Sequence, residues 1–270
     1  MKGLLIYDSV GKARNEWFIE RLIESAESLG HELELVIHDG GEFTFDTVDF
    51  AIIRTINPDI NKHFEKRGIP TFNNAKTSEI ANDKWLTYLF AKELDISVMN
   101  TKKPVSIEDA AASFDFPFVI KAVDGHGGSE VFLADSKQKC EEIFTKIDIK
   151  KSICQAMCSE PGIDMRVYML DGEVLAAAKR SSLSDFRSNF SLGGKAEIVH
   201  VPKEVKDVLG KVYSVLGCDF VGVDFIRHDG KWILNEIEDV VGTRMLYSLT
   251  DIDAAKIYVE YVINKLSNRK

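Results

Sequence analysis

GVDFIRHDGKWILNEIEDVVGTR, residues 222–244, reads as a single β-hairpin that carries three acids. Val221, Val223 and Phe225 alternate with Gly222, Asp224 and Ile226 ahead of an Asp229-Gly230 turn. Beyond the turn Trp232, Leu234, Glu236 and Glu238 share one face by the same period of two. Directly opposed residues of an antiparallel pair point to the same side, so Asp224 joins the two glutamates if it stands across from Glu236. That register calls for an odd loop, such as three residues with Gly230 left-handed. Hard oxygen donors at this density suit Mg²⁺ or Mn²⁺, and Mg²⁺ usually takes one or two carboxylates and then the phosphates of a nucleotide. A solvated acidic strand face is the competing reading. The remainder of the chain has to decide between them.

The chain has 270 residues, 45% of them hydrophobic, enough for one large domain or two modest ones. A net charge of −9 argues against a broad basic face for nucleic acid, so any site for an anion must be concentrated. The apolar run Gly3-Leu4-Leu5-Ile6-Tyr7 is too short for a signal-peptide core or a membrane span, which leads us to expect a cytoplasmic protein without membrane attachment. Cys140, Cys154, Cys158 and Cys218 show no paired spacing and are expected to be buried free thiols. Composition leaves a homo-oligomer open.

Strands at 2–7, 33–37, 50–54 and 71–73 alternate with a helix in which Phe18, Leu22, Ala26 and Leu29 share a face and with a short helix begun by Asn57-Pro58. The pattern predicts a small parallel sheet over residues 1–76, with no GxGxxG. Arg54 ends its strand, where ligands of parallel sheets tend to bind, and it is a candidate for holding a substrate carboxylate; a surface ion pair is the plainer alternative. Asn82 or Asp83 then caps a helix whose first turn contains Lys84, a cation placed against the helix dipole.

Residues 118–122, Phe-Val-Ile-Lys-Ala, form an apolar strand interrupted by Lys121, and the following loop holds Gly125, Gly127 and Gly128. Glycines let backbone N–H groups approach phosphate oxygens, and a lysine on a rigid strand supplies a fixed cation beside them. This is not the GxxxxGK[ST] phosphate loop, and His126 within it reads as a bystander. After a helix near 137–146 the chain turns mostly to strand, at 152–157, 164–170 and 173–180, with an Asp171-Gly172 turn between the last two. Lys179 and Arg180 close the last strand, and Arg187 follows in a long polar connection that reads as a loop closing over a ligand.

In this order, Lys84, Lys121 with its glycine loop, Gln155, DMRVYMLDGEVLAAAKR (164–180), DFRSN (185–189), Asp224 and Glu236 resemble the ATP-grasp ligases of RimK-like type. The resemblance implies an α/β and α+β chain: the small parallel-sheet domain at 1–76, then an ATP-grasp fold of two α+β subdomains at 77–270 that meet near 154–160. It also implies ATP as cofactor with Mg²⁺ or Mn²⁺, and a small-molecule or peptide substrate whose carboxylate is joined to an amine through an acyl phosphate. Carried onto this sequence, Lys84, Lys121 and the backbone of Gly125, Gly127 and Gly128 contact phosphates. Gln155 and Ala156 line the adenine pocket, Asp164 holds the ribose region, and Lys179, Arg187, Ser188 and Asn189 lie beside the nucleotide. Lys121 and Arg187 are the catalytic cations, Asp224, Glu236 and Glu238 the metal ligands, and Arg54, Arg180 and Arg244 face the substrate. The family usually has Asn where Glu238 stands, and its Ser-Pro-Gly type turn is replaced by Val240-Val241-Gly242. An ATP-binding regulatory protein without turnover and a metal-binding structural module are the rival readings, and the second leaves the lysines and glycine loop unexplained.

Overall fold

The computed structural model describes residues 1–41, 45, 47–182, 185–187 and 195–268. The chain opens with β1 (Lys2–Tyr7), α1 (Ser9–Ser28), β2 (Glu32–Ile37), β3 (Phe50–Ile53), α2 (Pro58–Glu65) and β4 (Thr71–Phe72), and the four strands form a parallel sheet ordered β2-β1-β3-β4. Asp8 caps α1 by accepting the Gly11 N–H at 2.6 Å, and Gly30, at φ +76°, turns the chain out of the helix toward β2. Phe18, Leu22 and Ala26 are buried as their spacing predicts, while Leu29 lies past the last turn and stays exposed.

Helices α3 (Ala75–Ala81) and α4 (Lys84–Glu93) lead into β5 (Thr101–Lys102), α5 (Ile107–Ala111), β6 (Phe118–Ala122), β7 (Val131–Ala134), α6 (Lys137–Phe144) and β8 (Ser152–Ala156). Here the strands form an antiparallel sheet ordered β5-β8-β6-β7. The third sheet combines β9 (Ile163–Leu170), β10 (Glu173–Ser181), β11 (Lys195–Ile198), β12 (Phe220–His228) and β13 (Lys231–Glu238) in the order β11-β10-β9-β12-β13, with α7 (Lys203–Leu216) crossing between β11 and β12. Helices α8 (Arg244–Leu249) and α9 (Ala254–Ser267) close the fold. The mixture of a parallel N-terminal sheet with antiparallel sheets matches the expected class. Among the described residues no helix is long and apolar enough to cross a membrane.

Two faces of the third sheet are buried against different partners. Tyr168, Leu170 and Phe220 pack with Leu5, Phe50 and Phe72 of the first sheet and with Phe18 and Tyr258 of α1 and α9, in one continuous core. The other face, with Val167, Val223 and Leu234, packs on Val205, Leu209, Val212 and Leu216, the apolar stripe of α7. Phe118, Ile120 and Cys154 of the second sheet pack instead with Cys140 and Ile143 of α6 in a separate cluster. Asn73, buried at the end of β4, ties the first sheet to the third: its amide donates to the carbonyls of Phe220 at 2.9 Å and Asp239 at 3.1 Å and accepts from the Asp219 N–H at 2.6 Å.

Candidate active site

The acidic hairpin forms, and Asp224 does stand opposite Glu236, but by a different route from the odd loop expected. His228 pairs with Lys231 across a two-residue turn, Asp229 at φ +48° and Gly230 at φ +70°, as right-twisted hairpins favour. A bulge then makes up the parity: Phe225 pairs with Leu234 and Asp224 with Glu236, leaving Asn235 as the extra residue of β13. The single face expected for Trp232, Leu234, Glu236 and Glu238 is therefore broken. Leu234 and Ile237 enter the core, while Asn235, Glu236 and Glu238 line a cleft between the second and third sheets.

Lys121 stands at the floor of that cleft, 9% exposed, because β6 is buried along its whole length. Among the described residues its ammonium hydrogen-bonds only to neutral oxygens, Gln155 Oε1 at 2.7 Å and Asn235 Oδ1 at 3.1 Å, and Gln155 is held in turn by Thr101 at 3.1 Å. Burial pushes the Lys121 amine down to about 8, against the opposing pull of Glu236. Asp83 caps α4 through the N–H groups of Trp85 and Leu86, which fixes Lys84 as its first residue. The Lys84 ammonium donates to the Gly125 carbonyl and lies 3.2 Å from Glu236 Oε1. Opposite, Arg187 donates to the Gly128 carbonyl at 2.8 Å and pairs with Asp185 at 2.7 Å. The glycine loop is thus clasped at both ends. Gly127 and Gly128 hold φ of +65° and +78°, and a Cβ on Gly125 would come within 2.9 Å of Glu130 Oε2.

Behind the cleft lies a buried ionic cluster built by neighbouring strands. Arg166 on β9 forks onto Asp224 at 2.8 and 2.7 Å and reaches Glu238 at 2.6 Å. Arg180 on β10 forks onto Asp164 at 2.5 and 2.8 Å and donates to Asp224 at 2.8 Å. Burial alone would raise the Asp224 carboxyl; Arg166 and Arg180 outweigh it and hold the group well below the usual carboxylate range. Glu238 shifts the other way, up to about 7, because burial and the nearby charges of Asp224 and Glu236 outweigh Arg166.

In this geometry the three expected metal ligands do not gather. Both oxygens of Asp224 are taken by guanidinium groups, and among the described residues no three His, Cys, Asp or Glu side chains gather as a metal site. Glu236 and Glu238 remain on the cleft wall as hard oxygen donors, a pair that fits Mg²⁺ when phosphates and water complete its shell. Lys179 stands apart from the cleft where it was expected: strand alternation turns it away from Arg180, and it pairs with Glu197 on β11 at 3.3 Å, lining neither cavity. Asp164 serves as the partner of Arg180 rather than standing free at the cleft. Gln155 and Ala156 line the cleft together with apolar Val119, Val131, Met157 and Ile226. Ser188 and Asn189 lie outside the described residues. Cys158 is a further departure, since it lines the cleft while the other three cysteines are buried in the cores.

The cleft itself is narrow, about 110 Å³, and opens beside a roomier cavity of about 580 Å³ at the junction with the first sheet. Gly127, Arg180 and Glu238 line both. The larger cavity is also lined by Arg54 and Arg244, together with Arg14 and Arg166, which sequence reasoning passed over. Arg54 is 4% exposed, donates to the Val241 carbonyl at 2.7 Å and leaves its Nε unpartnered. Among the described residues Arg14, Arg54 and Arg244 form no ion pair, unlike Arg166 and Arg180. The signal for Arg166 was present in the sequence, two residues from Asp164 on the same strand face.

Residues 81–262 match the RimK-like ATP-grasp domain. A probable alpha-L-glutamate ligase of Methanococcoides burtonii is 26% identical over 281 residues, covering 94% of this chain and 93% of the relative. One from Shewanella pealeana is 27% identical over 276 residues and 91% of this chain, which spans only 60% of that relative's length. The fold superimposes on the crystal structure of a RimK domain ATP-grasp protein from Sphaerobacter thermophilus with a TM-score of 0.77 at 17% identity, covering 97% of this chain and all of the other. With the clasped glycine loop, the cleft lysines and a match over most of its length, this chain belongs to the RimK-like ATP-grasp family.

Proposed function

We propose that this chain is an ATP-dependent carboxylate–amine ligase of the cytoplasm, releasing ADP and phosphate, and that an acidic amino acid such as L-glutamate is one of its substrates. The observation that carries the reading is the shared wall. Among the described residues, Lys121 in the cleft and Arg14, Arg54 and Arg244 in the adjoining cavity form no ion pair. The relatives named alpha-L-glutamate ligases support the choice of substrate.

In this reading the phosphates lie along Lys121, Lys84 and the N–H groups of Gly125–Gly128, with the base against Val119, Met157 and Ile226. Two anions, a carboxylate and the terminal phosphate, must meet, and their repulsion is the main obstacle. Lys121 and Arg187 lower it from the protein side. Glu236 and Glu238 would hold Mg²⁺, which supplies further charge neutralisation when bound. Arg54, Arg180 and Arg244 line the path of a carboxylate substrate, and Arg14 adds a fourth cation. The clasped loop excludes water, which would otherwise hydrolyse an acyl phosphate before an amine reached it.

Purified protein with ATP, MgCl₂, L-glutamate and a short peptide ending in glutamate should release ADP only when both a carboxylate and an amine are supplied. Hydroxylamine in place of the amine should give a hydroxamate. Formation of AMP would rule out the acyl-phosphate route, and nucleotide binding without any substrate-dependent product would favour a regulatory role.

A further inference from the structure

His126 sits inside the glycine loop, next to Gly127, which lines both cavities. His126 is among the residues lining the arginine-rich cavity, and its Nε2 is buried with no hydrogen-bond partner. It takes part in no ion pair among the described residues. An imidazole nitrogen that no protein group engages, beside the junction of the two cavities, keeps its proton-accepting capacity for a group that reaches it there.

We propose that His126 accepts the proton that the incoming amine must lose in the ligation step, an assignment that rests on the ligase reading above. The ammonium N–H bond breaks and its proton passes to His126 Nε2. The freed nitrogen lone pair forms the C–N bond at the acyl carbon, the C–O bond to phosphate breaks with its electron pair leaving on phosphate, and the second proton that nitrogen must shed leaves with that phosphate, giving the neutral amide. No oxidant or further reactant is needed.

The surroundings favour the neutral ring. Burial and then Lys84 of α4 push its pKa below the usual value, opposed by Glu236 of β13 and by Asp124 and Glu130 of the loop itself. Across the cavity stand Arg166 and Arg180 of the third sheet, Glu238 at the end of β13, Arg244 of α8, and Asp8, Arg14 and Arg54 of the first sheet and its connections. The excess of guanidinium groups there also disfavours a cationic ring.

The test compares two nucleophiles in wild type, His126→Ala and His126→Gln, with ATP, MgCl₂ and the glutamate-ended peptide as carboxylate. Hydroxylamine is already unprotonated at neutral pH and needs no proton acceptor, whereas L-glutamate does. Both variants should lose about 100-fold in kcat with L-glutamate while hydroxylamine-driven ADP release stays within about threefold of wild type. The wild-type rate with L-glutamate should be flat above neutrality, the His126→Ala rate should climb about tenfold per pH unit, and added imidazole should restore it. Equal losses with both nucleophiles, a retained L-glutamate rate, or full activity of His126→Gln would each overturn the assignment. Wild-type protein silent with both nucleophiles would instead strike the ligase reading itself.

Discussion

Replacing Asp224 by asparagine keeps the volume at the centre of the buried ionic cluster and removes its charge. Asp224 accepts three charge-assisted bonds, two from Arg166 at 2.8 and 2.7 Å and one from Arg180 at 2.8 Å. An amide has one oxygen to offer, and its NH₂ would face guanidinium N–H groups, donor against donor. Each ion pair at this spacing carries on the order of 6 kcal/mol of attraction at an effective dielectric near 20, most of it offset by the desolvation of both charges. Arg180 keeps Asp164 and Arg166 keeps Glu238, so neither guanidinium is abandoned. The loss should therefore lie at the low end for a broken buried pair, about 3 kcal/mol, which lowers Tm by roughly 6–12 °C in a chain of this size. The folded pKa of Asp224 is depressed, so its contribution is present above the unfolded value near 3.9 and lost as pH falls through the folded one. Thermal melts followed by far-UV circular dichroism in EDTA should show the deficit at pH 8, where Glu238 is ionised in both proteins, and should show it narrowing below roughly pH 4. A shift under about 2 °C in the metal-free protein would refute the reasoning and return Asp224 to the role of metal ligand.

Lys121→Met should abolish ADP formation yet stabilise the ligand-free fold. Depression of the amine from 10.5 to about 8 corresponds to roughly 3 kcal/mol of unfavourable charge burial below pH 8. Wild type should recover that stability between about pH 8 and 10.5, where only the unfolded chain still holds the proton, and the variant should not; urea denaturation at pH 7 and pH 10 checks both signs. Cys158, the one cysteine among the described residues that lines the cleft, should react with a thiol reagent in the ligand-free protein and be protected by ATP with Mg²⁺; mass spectrometry showing unchanged labelling at Cys158 would place the nucleotide elsewhere.

Much of the fold was legible because its strands are short, apolar and sharply bounded. The stretches 2–7 and 118–122 are β1 and β6 to the residue, and the Asp171-Gly172 and Asp229-Gly230 turns sit where their φ-positive residues permit. The cleft lysines were legible for a related reason: a charge within an apolar run is costly unless something meets it. What escaped was pairing. Period two showed which residues share a face but not that a bulge at Asn235 would change the face midway along β13. Arg166 was passed over because nothing along the chain marks β9 as lying beside β12, where it meets Asp224. The same ignorance of neighbours left Lys179 assigned to a cleft that its strand turns it away from. Helices α3, α5 and α8, at seven, five and six residues, are too brief for periodicity to announce them.

The distribution of the cores determines which part of the molecule has to swing. The first and third sheets share one continuous hydrophobic cluster and are pinned by Asn73, so they form the anvil. The second sheet has a core of its own and touches the third through sparse polar seams: Val98 bridging to Leu234, Lys121 to Asn235, and Ser159 to the tip of the β12–β13 hairpin. A cleft of about 110 Å³ falls short of the roughly 300–1,000 Å³ of sites that enclose a ligand of nucleotide size. On the function proposed above, admitting ATP would mean tilting the second sheet as a hammer about these seams. The cost is a few hydrogen bonds, including the Lys84 and Arg187 clasps, and no exposure of a shared apolar core, so hydrogen exchange should be faster along β6 and β7 than along β9 and β12 and should slow there when ATP is added.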